Sequence, residues 1–383
     1  MKKLFAAFAV YAVSFSFAVA QTVPVPTIDA KSWVLLDATS DQVLASHDPD
    51  MRIEPASLAK LMTAYVVSSA IKEKRLSMDQ SVNISVHAWK VDPESSKMFV
   101  EPNTQVKVRD LMYGLIVQSG NDAAVALSEA VGGTEDAFVT MMNQEAVRMG
   151  LKNTHFANAH GLPDPGNYST ARDLATLSDH VIHDHPEDYK IYSVKEFTYN
   201  KIRQQNRNRL LWIDPSVDGL KTGHTSSAGY NLIATAHRPN GDVAGERRLI
   251  SVVIGTTSDH MRTQESLKLL NWGFQNFDTV KLYAKGQAVE TPAVWKGADS
   301  QVKVGFTHDV YVTVPKGVAG KIKPVLVSKE PLIAPIAKNS TIGTLNLMVD
   351  DKPLESLPVV ALEQVNQASI FGRAWDSLRL WMK

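Results

Sequence analysis

The chain is 383 residues long, enough for two or three domains on the usual length prior. Lys plus Arg and Asp plus Glu balance at 40 each, so no basic field marks a nucleic-acid binder, and the 44% apolar share suits a protein with a sizeable core. Cysteine is absent, which excludes disulfides, thiolate metal sites and cysteine catalysis.

Lys2 and Lys3 precede an apolar run that closes on Ala18-Val19-Ala20. Residues 1–20 are therefore expected to be a secretory signal peptide, with the mature chain starting near Gln21 outside the cytoplasm. Ser32–Asp37 and Gln42–Ala45 read as two short strands about a turn at 38–41. The stretch Glu54 to Lys60 then opens a segment, 58–72, that is apolar almost all round. Leu58, Leu61, Met62, Tyr65 and Val66 form one stripe, and Ala64, Val67 and Ile71 fill much of the rest. Such a helix is buried. Its first turn carries Ser57 and Lys60, three apart and on one face. A lysine there loses hydration, its pKa falls, and the neutral amine beside a hydroxyl makes a nucleophile with its base. The same Ser-x-x-Lys spacing recurs at Ser69 to Lys72, on the exposed helix end, and at Ser300 to Lys303, in alternating sequence where the two residues face opposite ways. Only Ser57 opens a buried helix.

Residues 77–101 show no clear period and are expected to be loops and short strands. Helical spacing returns over 108–117. Ser119-Gly120-Asn121-Asp122 follows, with Asp122 expected to cap a helix over 123–131. A helix over 134–149 is expected to bury Ala137, Phe138, Met141, Met142 and Met149. Another is expected over 171–182. Its tail holds His180, His183 and His185 but no His-Glu-x-x-His pattern, so it reads as a solvated helix end; no metal or cofactor is expected. Lys221-Thr222-Gly223-His224 lies beside two alternating stretches, 229–236 and 248–255, joined by a polar turn at 239–242. Together they predict an antiparallel sheet crossed by a helix over 263–274. After about 276 the composition shifts, and 280–362 reads as a small all-β domain. In the last segment Ile370, Phe371, Ala374, Trp375, Leu378, Trp381 and Met382 share one helical face, with Arg373, Asp376, Arg379 and Lys383 elsewhere on the wheel. That is the make-up of an interfacial membrane anchor.

Ser57-x-x-Lys60, Ser119-x-Asn121 and Lys221-Thr222-Gly223 stand in the order of a set found in serine penicillin-binding proteins and β-lactamases. With Glu54 to Lys60, Gln118 to Ala123, His160 to Pro163 and Val217 to Thr225, they make the chain resemble, over nearly its full length, the low-molecular-mass penicillin-binding proteins. These are serine D-alanyl-D-alanine carboxypeptidases, and the likeness is to the penicillin-binding protein 5 and 6 type. Ser57-Leu58-Ala59-Lys60 departs from the commoner Ser-Leu-Thr-Lys only at a position that is not catalytic.

The resemblance implies an α+β fold: an antiparallel sheet flanked by helices (21–278), as in DD-peptidases and serine β-lactamases, then a β-rich domain (279–365) and an anchor helix (366–383). It implies that Ser57 attacks the penultimate D-alanine carbonyl of a peptidoglycan pentapeptide stem and Lys60 takes its proton. Ser119 would relay a proton to the leaving D-alanine, and Asn121 would orient Lys60 and the substrate amide. Lys221 and Thr222 would meet the substrate carboxylate, with Arg262 a further candidate and Arg207 a second option. Gly223 would leave room for substrate, and the N–H groups of Ser57 and His224 would form the oxyanion hole. Asp173 reads equally as a site neighbour or a helix cap. The implied partners are the stem peptide, β-lactams as covalent inhibitors, and the periplasmic surface of the inner membrane. Two other readings compete: a serine β-lactamase, for which Glu196 and Asn200 give a Glu-x-x-x-Asn match in strand-like sequence, and an inert wall-associated scaffold.

Overall fold

A computed structural model describes residues 23–239, 245–328 and 330–382; the expected signal peptide and most of the 239–242 turn lie outside the described residues. The chain forms two compact units. The first, Val25–Tyr283 with Asp309–Gly317, is built on a five-stranded antiparallel sheet. Its strands are β1 (Ser32–Asp37), β2 (Gln42–His47), β3 (Val217–Thr225), β4 (Gly229–Pro239) and β5 (Glu246–Thr256), in the order β2-β1-β5-β4-β3. The strands alternate: Val34, Ile233, Ile250 and Val252 join the core beneath the helices. Leu35 and Leu249 point to the other face, against Gly273.

The helices that position the site are α1 (Lys60–Lys72), α2 (Asn121–Gly132), α3 (Glu135–Arg148), α4 (Ala171–Asp184) and α5 (Asp259–Asn276). Helix α1 packs against α2, α3 and α4 and is buried from Lys60 through Ser68, as its all-round apolar surface requires. Thr134, Thr170 and Ser258 cap α3, α4 and α5 through their hydroxyls. Asp122 is not a cap. Gly120 holds that position, and the Asp122 carboxylate instead accepts the N–H groups of Met98, Phe99 and Val100 at 2.9, 2.9 and 3.2 Å. The same carboxylate also accepts the Ala123 N–H at 2.9 Å in the first turn of its own helix, so it serves both segments. In α3 the buried stripe runs through Phe138, Met142 and Ala146, leaving Ala137 exposed. His180 and His183 each pair with an aspartate one turn away, Asp184 and Asp179, and His185 meets Ser69 Oγ at 3.1 Å.

The β-rich sequence begins inside this first unit. Strands β6 (Phe277–Tyr283) and β7 (Val310–Pro315) form an antiparallel ribbon. Asp37, fully buried, ties it to the sheet: it pairs with Arg247 at 2.7 Å and accepts the hydroxyls of Thr279 and Thr313 at 2.7 and 2.8 Å.

The second unit holds Ala284–His308 and the chain from Val318 onward. A five-stranded antiparallel sheet takes its strands in the order Ala288–Glu290, Val304–Gly305, Lys352–Ala361, Thr341–Val349 and Ile322–Ser328. Val302, Val304, Ile342, Ala361 and Val365 belong to its small core. Helix α6 (Ile370–Trp381) is capped by Ser369, and Asp376 accepts the Lys296 N–H at 2.7 Å. The apolar face is turned outward: Phe371, Trp375 and Trp381 are 88%, 62% and 84% exposed. Among the described residues no helix is long and apolar enough to cross a membrane.

Candidate active site

Ser57 lies in a single 3₁₀ turn, Ala56–Ala59, and α1 begins only at Lys60. In 3₁₀ geometry residues three apart eclipse one another, which stacks Lys60 directly over Ser57. Lys60 Nζ is 3.0 Å from Ser57 Oγ and donates to the His160 carbonyl at 2.6 Å. The turn is strained, because Ala56 sits at φ +50 in the left-handed region. Gly161 (φ +83) lies directly against it; a Cβ there would come within 1.9 Å of the Ala56 oxygen. A glycine after His160 is thus what lets that carbonyl reach the amine. Burial, reinforced by the Arg207 charge, pushes Lys60 from the ordinary 10.5 down to about 7, against an opposing pull from Asp122.

A π-helical turn, Gly114–Gln118, delivers Ser119 in a left-handed conformation, φ +66. Lys221 donates to Ser119 Oγ at 2.9 Å and to the Thr222 carbonyl at 3.0 Å. Burial and the like charges of Lys60, Arg207 and Arg262 hold Lys221 well below its ordinary range. Asn121 opens α2 and lines the cleft. Among the described residues its side chain makes no hydrogen bond to Lys60, whose partners are Ser57 and His160.

Thr222, Gly223 and His224 run along β3, the sheet edge, and border the cleft. The space that Gly223 leaves is taken by the nucleophile turn: a Cβ would stand 3.1 Å from both the Pro55 oxygen and Leu58 Cγ. That room serves packing of the turn on the strand, while Gly223 itself borders the cleft. Arg262 also borders the cleft, but its guanidinium donates to the carbonyls of Gly223 and Asn231 at 3.1 and 3.3 Å and pairs with Asp259 at 2.5 Å. It braces the sheet edge. Arg207 reaches the same cleft with no hydrogen bond or ion pair to any described residue.

The cleft encloses about 1090 Å³. Asp92, Glu94, Ser96, Trp212 and Tyr230 also line it. The sequence singled out none of them: Asp92, Glu94, Ser96 and Trp212 lie on aperiodic segments, and Tyr230 is one member of an alternating strand; Trp212 is exposed. Asp173 is outside the cleft lining and accepts from Asn153 N–H and the Thr154 hydroxyl, both at 2.8 Å. Glu196 pairs with Arg203 across the 196–205 hairpin and Asn200 sits in its turn, so neither lies on the cleft.

A serine hydroxyl against a buried amine, with a second serine held by a strand lysine, is the arrangement of a serine hydrolase. The comparisons narrow the class. The family model described as D-alanyl-D-alanine carboxypeptidase matches residues 19–258, and that of the penicillin-binding protein 5 C-terminal domain matches 277–367. The chain is 44% identical to the D-alanyl-D-alanine carboxypeptidase DacC of Escherichia coli (strain K12), covering 94% of this chain and 90% of that protein. It is 46% identical to DacA of Haemophilus influenzae, covering 94% and 91%. The crystal structure of penicillin-binding protein 5 from Haemophilus influenzae superposes with a TM-score of 0.87 at 45% identity, over 90% of this chain and all of that one. The chain belongs to the D-alanyl-D-alanine carboxypeptidase family, of the penicillin-binding protein 5 and 6 type.

Proposed function

We propose that the cleft removes the terminal D-alanine from peptidoglycan pentapeptide stems, with Ser57 as nucleophile and Lys60 as its base. As the Ser57 Oγ–carbon bond forms, the hydroxyl proton passes to Lys60 Nζ. The peptide C–N bond breaks, and that proton reaches the leaving amine through Ser119. Water then adds to the acyl-enzyme, gives its proton to Lys60, and the Oγ–carbon bond breaks with the proton returning to Ser57. The N–H groups of Ser57 and His224 would bear the developing oxyanion, each worth roughly 3–4 kcal/mol. The terminal carboxylate enters among Lys221, Arg207 and Arg262; burial first, and then the Arg207 and Arg262 charges, lower Lys221, and burial with the Arg262 charge lowers Arg207. An arriving anion relieves that repulsion. Arg207, without an ion-pair partner among the described residues, is the cation best placed to bind it, with Thr222 supplying a hydroxyl. β-Lactams would acylate Ser57 by the same route.

The observation that carries this reading is the dehydrated amine 3.0 Å from a hydroxyl at the cleft wall. The test is D-alanine release from a pentapeptide. Ser57→Ala is expected to abolish it; release at the wild-type rate would refute the assignment.

For α6 we propose peripheral attachment to the periplasmic face of the inner membrane. The support is the outward apolar face with its two tryptophans, each large side chain worth roughly 1.5–3 kcal/mol when buried in lipid. Deletion of residues 366–383 is expected to release the mature protein from membranes; retention of the truncated protein would contradict the anchor.

A further inference from the structure

We propose that Glu54 is a positioning residue for the oxyanion hole, tying the turn that carries Ser57 to the end of the strand that carries His224. The inference rests on the reading of Ser57 and His224 as the two oxyanion donors. These donors come from separate segments, the 3₁₀ turn Ala56–Ala59 and strand β3. Catalysis needs their N–H groups to converge on one oxygen, so something must hold turn and strand in register.

Packing brings the two together but does not fix them. The turn lies against Gly223 through Pro55 and Leu58, and van der Waals contact of this kind carries no directional bond between the two segments. Among the described residues, the hydrogen bonds that join the chain around the turn, residues 54–59, to the strand and the turn after it, residues 217–228, are the pair that Glu54 accepts. Thr225 Oγ1 donates to one carboxylate oxygen at 2.9 Å and Ser227 Oγ to the other at 2.5 Å. Glu54 is three residues before Ser57 and Thr225 is the residue after His224, so the tie sits next to both donors. Thr225 Oγ1 also accepts the Ala228 N–H at 3.0 Å, which closes the β3–β4 turn. The strand end is therefore stiff where the carboxylate holds it. Glu54 is not among the residues that line the cleft. It acts through the two donors, not on substrate.

Acylation and deacylation both place negative charge on the same carbonyl oxygen. Loosening the hole must slow both steps in similar proportion, and misplacing a donor by about 1 Å costs on the order of 100-fold. A purely structural role predicts something else: fewer folded molecules, each working at the normal rate.

The experiment is burst kinetics of the full-length protein with a chromogenic β-lactam. Burst amplitude counts active molecules, the burst rate reports acylation, and the slow phase reports deacylation. For Glu54→Ala both rates are expected to fall about tenfold or more, together. For Glu54→Gln both are expected to stay within about threefold of wild type, because an amide can accept from Thr225 and donate to Ser227, whose hydroxyl can turn. The double variant Thr225→Val/Ser227→Ala removes the donors instead and is expected to match Glu54→Ala, which keeps the question answerable if Glu54→Ala folds poorly. Unchanged rates with reduced amplitude, loss of one rate alone, or a Gln variant as slow as the Ala variant would each overturn the tie. A penicillin adduct on a residue other than Ser57 would instead sink the underlying site reading, so the two failures are distinct.

Discussion

Replacing Lys60 with methionine should destroy activity and yet stabilise the fold at neutral pH. Lys60 titrates at 10.5 unfolded and about 7 folded, so between these values the unfolded chain holds a proton the folded one lacks. Stability therefore rises with pH across that window, and at pH 7 the buried amine costs the fold about 4 kcal/mol relative to pH above 10.5. Methionine is unbranched, similar in length and carries no charge. It leaves the His160 carbonyl without its donor, a loss of about 1–3 kcal/mol at any pH, whereas the half-buried Ser57 hydroxyl borders the cleft and can turn to water. The variant should thus be about 1–3 kcal/mol more stable than wild type at pH 7, and less stable by pH 10.5. Urea unfolding of both proteins at several pH values between 7 and 10.5 measures the difference, and penicillin labelling confirms the lost acylation. A stability difference that stays constant with pH would refute a dehydrated, neutral-leaning Lys60.

Arg207→Ala should cut the second-order rate of penicillin acylation by roughly 10- to 100-fold, the worth of one charge-assisted hydrogen bond. It should also move the acid limb of the pH–rate profile to higher pH, since Arg207 helps hold Lys60 down and acylation needs the neutral amine; an unmoved limb would remove Arg207 from the site. Asp37→Ala leaves Arg247 buried without its partner and should cost about 3–5 kcal/mol in denaturant unfolding. A loss under about 1 kcal/mol would mean that the ribbon does not depend on this pair.

Much of the site was legible because each motif sat in a context with one physical meaning. A helix apolar on all sides must be buried, so a lysine in its first turn had to be dehydrated. Period-two stretches either side of a polar turn had to pair, which put Lys221 on a strand. What escaped depended on partners distant in the chain. That Asp122 ties the 98–100 loop to its helix follows from three N–H groups more than twenty residues away. Arg207 and Arg262 look alike in sequence, and only the carbonyls of Gly223 and Asn231 show that the second is already engaged. Residues 302–314 alternate in period two, but a strand's pattern does not name the sheet it joins, so the place of Val310–Pro315 in the first unit was not readable. The 3₁₀ turn at Ser57 is set by packing on Gly161 and Gly223, not by local propensity.

The most direct measurement is the mass spectrum of a protease digest taken after brief contact with a penicillin. A penicilloyl adduct is predicted on the peptide that contains Ser57, and none in Ser57→Ala. An adduct on Ser119 or any other residue, or an unmodified wild-type digest, would contradict the assignment of the nucleophile.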